Sequence, residues 1–259
     1  MRRDTFGVIS GLLLLAAVTP TVRLWAAADP SAWQVSAGGG ALVRPRFPGS
    51  DSLEIWPLPF IDAIYEERWF LRSDSGLGGY LWRNPSWTMS LSVAPDLLRR
   101  RTRDDARLQG LGDVSETAEG LLRTVYSMAQ VQASLALASD IAGKGHGTSA
   151  DFAVEVHQSL GERWRLRAGG GATWNNAEFF QTFFGVNQTQ SERSGLSTYR
   201  PAGGVSAARL FAGSSVAVTP HWRVESEMQV GYWLARAADS PITERKGFER
   251  ISVFAAYTF

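Results

Sequence analysis

The three histidines of this 259-residue chain are His146, His157 and His221. His157 and Ser159 stand two apart in the alternating stretch 150–159, and Asp151 and Glu155 share their face. A hydroxyl, an imidazole and a carboxylate are the material of a hydrolytic triad. In an extended strand, however, same-face neighbours two apart are separated by roughly 7 Å. The hydroxyl and the ring therefore miss each other, and no catalytic residue is assigned. Arg163, Arg165 and Arg167 alternate in the same way and face Glu155 across a short turn. In an open pore such a ladder would select ions. In a narrow barrel it would fill the lumen, which is the favoured reading. Gly38, Gly39 and Gly40, like Gly169, Gly170 and Gly171, are followed by no Lys-Ser/Thr pair and cradle no phosphate. One histidine in Gly143, Lys144, Gly145, His146 and Gly147 makes no metal site. Neither cofactor nor metal is expected.

These side chains need strands to hold them. Ala150, Phe152, Val154 and Val156 form one face, and Trp164, Leu166, Ala168, Ala172 and Trp174 continue it on the next strand. A loop of Leu160, Gly161 and Glu162 keeps both faces consistent and sets Glu155 opposite Arg167, His157 opposite Arg165 and Ser159 opposite Arg163. A second hairpin turns at Thr219, Pro220 and His221, setting Val216 opposite Val224 and Ser215 opposite Glu225. At the end of the chain Ile251, Val253, Ala255, Tyr257 and Phe259 share one apolar face, and the last residue is aromatic.

The N-terminus has the pattern of an export signal. Arg2 and Arg3 precede an apolar run over 6–18, and Ala26, Ala27 and Ala28 offer a cleavage site. Residues 1–28 are therefore expected to be removed, leaving one domain over 29–259. Loss of Arg2, Arg3, Arg23 and Asp4 from 26 basic and 25 acidic residues leaves a near-neutral chain, with no basic patch for nucleic acid. With no cysteine, an exported chain cannot be a disulfide-stapled module. The 10 Trp, 13 Phe, 6 Tyr and 26 Gly suit aromatic girdles on curved strands.

The fold class expected is all-β: an antiparallel transmembrane β-barrel in the outer membrane of a Gram-negative bacterium, in contact with lipid. The terminal Phe259 is expected to be read by the barrel-assembly machinery. Strands are expected over 32–43, 51–65, 68–82, 86–96, 122–140, 148–159, 163–175, 200–218, 222–236 and 247–259, which makes ten, with twelve as the alternative. With Phe259 at the periplasmic rim, loops 160–162 and 219–221 are periplasmic and 141–147, 176–199 and 237–246 external. Segment 97–121 then becomes a long, charged periplasmic connection that holds either a short helix starting near Ser115 or the two further strands of the twelve-strand alternative. Trp33, Trp56, Trp69, Trp82, Trp87, Trp164, Trp174, Trp222 and Trp233 read as a girdle.

Several stretches resemble the MltA-interacting protein (MipA/OmpV) family. They are Phe184, Gly185 and Val186 with Gln190, Ser191, Ser194, Gly195, Leu196, Tyr199, Pro201 and Gly203; Leu234 with Ala237, Ala238, Asp239, Ser240, Pro241 and Ile242; and Pro45, Phe47, Gly49, Ser50, Pro57 and Pro59. The resemblance implies a non-catalytic outer-membrane protein that bridges a lytic murein transglycosylase and a penicillin-binding protein. A solute channel is the alternative, and a lipid-modifying barrel enzyme a more distant one. Two loop motifs, Phe184, Gly185 and Val186 in one and Asp239, Ser240 and Pro241 in the other, are expected to pack together as a lid. Scaffold partners would be met through 97–121.

Overall fold

The computed structural model describes residues 32–259. The expected signal segment, 1–28, and residues 29–31 of the expected mature chain lie outside them. Twelve antiparallel strands close into a barrel in which the first pairs with the last. They are β1 Trp33–Pro45, β2 Leu53–Tyr65, β3 Trp69–Arg72, β4 Gly76–Arg83, β5 Trp87–Asp96, β6 Thr117–Met128, β7 Val131–Asp140, β8 Thr148–Leu160, β9 Trp164–Asn175, β10 Gly204–Ala217, β11 Trp222–Trp233 and β12 Gly247–Thr258. Among the described residues three α-helices lie between strands: α1 Ala177–Phe184, α2 Gln188–Ser194 and α3 Ala235–Ala238.

The alternation read from the sequence sets the two faces. Phe152, Val154, Val156, Leu210, Met228, Val230, Ile251 and Val253 point outward and are exposed, whereas Asp151, Glu155, Arg167, Arg209, Arg223 and Glu225 point inward and are buried. An apolar exterior around a polar interior is the pattern of a membrane barrel.

The count is twelve because two expected strands are hairpins. Stretch 68–82 folds back at Ser73, Asp74 and Ser75 to make β3 and β4, and stretch 122–140 folds back at Ala129 and Gln130 to make β6 and β7. The second turn contains no Gly, Pro, Asn or Asp. Ala129 itself takes φ of 52°, which few side chains tolerate. The extra reversal moves 97–116 to the opposite rim from that expected. The region after Ser115 is strand β6 rather than helix, and the 3-10 turn of this segment is at Ala106–Leu108.

One rim therefore carries only tight turns, at 66–68, 84–86, 129–130, 161–163 and 218–221. The other carries 46–52, 97–116, 141–147, 176–203 and 234–246. Outer-membrane barrels keep short turns in the periplasm and long loops outside. Trp33, Trp69, Trp82, Trp87, Trp164 and Trp222 are exposed at the short-turn rim, and Trp174 at the other. Trp56 and Trp233 depart from the girdle. Their parity turns them inward, and Trp233 is buried.

Candidate functional site

The lumen is crossed by paired charges. Arg209 from β10 holds both carboxylate oxygens of Asp151 from β8, each at 2.6 Å, and Thr173 from β9 donates to the same carboxylate at 2.7 Å. Arg72 meets Asp62 at 3.0 Å, Arg223 meets Glu225 at 2.8 Å, and Glu54 receives Arg44 at 2.9 Å and Arg99 at 2.7 Å. Buried charges persist only when matched in this way.

The expected ladder is partly assembled. Arg167 is buried and bridges Glu155, at 3.3 Å, and Glu227. Arg165 faces inward beside Ser159. Arg163 does not belong to the ladder: it sits exposed in the turn at the rim. The β8–β9 register differs by two residues from that expected, pairing Glu155 with Gly169, His157 with Arg167 and Ser159 with Arg165. Leu160 stays in the strand opposite Trp164, so the turn becomes Gly161, Glu162 and Arg163, with Gly161 at φ 64°. A two-residue slip preserves the faces, which is why alternation alone could not detect it. The β10–β11 hairpin has the register expected, with Val216 opposite Val224 and Ser215 opposite Glu225.

Above the charges lies an apolar plug. Asn176 caps α1 by accepting from the Phe179 amide, and this aims Phe179, Phe180, Phe183 and Phe184 into one cluster with Leu98, Trp233, Ala237 and Phe248. Phe180, Phe183 and Phe184 are fully buried. A second cluster joins Phe47, Leu108, Leu111, Val186 and Ile242 from separate loops.

Polar links bind the loops to one another. Ser240 donates to the Phe184 carbonyl at 2.6 Å, joining the two motif loops. Gln190 donates to the Leu111 carbonyl at 2.7 Å, and Thr182 to the Gly145 carbonyl at 2.6 Å. Gly185 ends α1, Val186 pairs with Tyr199, and the exposed Asp239 ends α3 beside the half-buried Pro241. Segment 97–116 belongs to the same assembly through Leu98, Leu108 and Leu111.

His146 ties the plug to the wall. One ring nitrogen lies 2.5 Å from the Asp96 carboxylate and the other 2.9 Å from the Ser115 carbonyl, and the ring meets Phe183 edge-on at 5.0 Å. Both partners are acceptors, so the protonated ring satisfies both. Burial acts to lower its pKa, but the Asp96 hydrogen bond and charge outweigh this and hold it above the ordinary value. In the sequence this histidine stands only as part of a glycine-rich turn. Its acceptors come from β5 and from the segment before β6, and no local signal marks them.

A barrel with an apolar outer face, paired charges inside and apolar clusters among its long loops defines a class: the outer-membrane barrel proteins. The family profile described as MltA-interacting protein MipA matches residues 37–259. The chain belongs to that family. It is 24% identical over 231 residues to the MltA-interacting protein of Escherichia coli (strain K12), covering 88% of this chain and 90% of the relative, and equally similar to that of Shigella flexneri. Among solved structures it is similar to the CymD monoaromatic hydrocarbon channel (10% identity, TM-score 0.40, 88% of each chain) and to the outer membrane channel DcaP of Acinetobacter baumannii (9%, TM-score 0.35, 88% of this chain and 96% of that one). Family and fold together place the chain in the outer membrane of a Gram-negative bacterium.

Proposed function

We propose that this protein is a closed barrel that serves as an envelope scaffold, presenting its periplasmic rim to a lytic murein transglycosylase and, through it or beside it, to a penicillin-binding protein. The observation that carries the reading is the double seal. Arg72, Arg167 and Arg209 are each paired with a carboxylate inside the barrel, and the plug buries Phe180, Phe183 and Phe184 at the mouth. The partner follows from the relatives' name, MltA-interacting protein. Segment 97–116 packs within the long-loop cap and is therefore not the docking surface first expected from sequence. The periplasmic turns take its place, including the exposed Glu66, Glu67, Arg68, Glu162 and Arg163.

The test is co-purification from native envelopes with the transglycosylase as the probe. Charge reversal at Glu66, Glu67 and Glu162 should abolish capture, while an exposed cap substitution such as Asp239→Lys should not. Capture that survives the turn reversals would refute the docking surface. Absence of capture by the unaltered protein would refute the scaffold reading.

A further inference from the structure

The wall has one incomplete sector. β2 pairs with β1 along its whole length, yet β3 covers only Asp62 to Tyr65 of it. The β3–β4 hairpin turns at Ser73, Asp74 and Ser75. Ser73 adds bonds to Ile61 and to the Pro59 carbonyl. Above that point 53–58 has no strand on its second side. Gly76 lies against Val93 and Ala94, so β5 rises only to Asp96 beyond the hairpin. The result is a notch in the outer half of the wall, with β2 and β5 as its sides and the hairpin turn as its sill.

The sequence of this edge suits an opening. The bonds at Ile61 show that odd-numbered residues of β2 turn their backbone away from β1. Pro57 and Pro59 share that parity, so their nitrogens face the notch and carry no hydrogen. Proline is tolerated on such an edge, and it denies a further strand its donors. The side chains bordering the notch are apolar and exposed: Leu53, Ile61, Leu77, Val93 and Ile55, the last at 70%. They continue the lipid-facing surface into the gap.

Behind it, Trp56 and Leu58 face inward yet stay half-buried, unlike Phe60 below them. The Arg44 guanidinium lies over the Trp56 ring at 3.7 Å, and Glu54 binds both Arg44 and Arg99. The charges are thus held to one another, while an aromatic and an aliphatic side chain line the gap.

We propose that this notch is a lateral port that seats an acyl chain of an outer-leaflet lipid between β2 and β5, against Trp56 and Leu58. A chain of methylenes needs no hydrogen bond from the edge, whereas a strand from another protein does. The port opens sideways to the bilayer and does not involve the periplasmic turns proposed for docking, so the two tests fail separately.

The experiment places the photo-reactive residue p-benzoylphenylalanine at Trp56, and in a parallel variant at Phe254, an inward aromatic on a fully paired part of the wall. Both proteins are irradiated in outer-membrane vesicles, and adducts are identified by mass spectrometry. A variant is accepted only if it keeps the heat-modifiable mobility of a folded barrel, and Leu58 replaces Trp56 if it does not. Lipid adducts several-fold more abundant at Trp56 than at Phe254 are expected. Equal yields at the two positions, or adducts at Trp56 to another protein, would overturn the proposal.

Discussion

At the scale of single residues, Asp151 shows how much depends on a partner distant in sequence. Both its oxygens are taken by Arg209, and the pair is almost fully buried. Asp151→Asn removes the negative charge that faces that guanidinium, and breaking a buried pair costs about 3–5 kcal/mol. Urea titration of the refolded barrel should show the corresponding fall in midpoint, and an unchanged midpoint would contradict the pairing. His146 makes a prediction in pH. Its folded pKa is raised, so its contribution is complete below the unfolded value of about 6.5 and is lost as pH rises through the higher folded value. Hydrogen exchange in Ala177–Phe184, corrected for intrinsic rate, should therefore accelerate more between pH 6 and pH 8.5 than in a His146→Gln control. Sequence placed Asp151 correctly on the polar face. It could not reveal Arg209, because period two reports which face a residue occupies and says nothing of its neighbours across strands.

At the scale of elements, the plug is held by close approach as much as by apolar area. Gly110 has φ of 86°, and a side chain there would come within 2.7 Å of the Arg193 backbone on α2. Gly110→Val should separate 97–116 from α2 and make both more sensitive to added protease in intact cells than the unaltered loops; equal sensitivity would contradict the packing. Phe183→Ala removes a ring from the centre of the larger cluster, a change that costs about 3–5 kcal/mol in a core. It should raise cleavage at 176–203 while leaving the barrel heat-modifiable. The packing of the two motif loops was legible because Gly, Pro and aromatic residues concentrate there. The place of 97–116 was not. It hinged on one turn at Ala129 and Gln130, whose residues carry none of the usual turn chemistry, and that missed reversal inverts the connections before it as far as the second missed one, at Ser73, Asp74 and Ser75.

At the scale of the whole molecule, matched charge and a sealed mouth predict silence: the purified protein in planar bilayers should show no discrete conductance, and Arg165→Glu should not create one. Regular ion-selective steps would contradict the double seal. Fold class was readable from strands such as Gly247–Thr258, since their alternation depends on local sequence alone. The strand count was not, because a barrel's circumference depends on every turn being recognised. The seam between the first strand and the last bears on biogenesis. Ser36 pairs with Thr258, and the Phe259 amide donates to the Val35 carbonyl. Gly38 and Gly40 let the two strands approach so closely that a methyl group would strike the opposing backbone. The earliest strand to emerge from the ribosome thus waits for the latest. A chain that stops short of β12 would leave β1 and β11 with raw sheet edges, each a template for pairing with another chain.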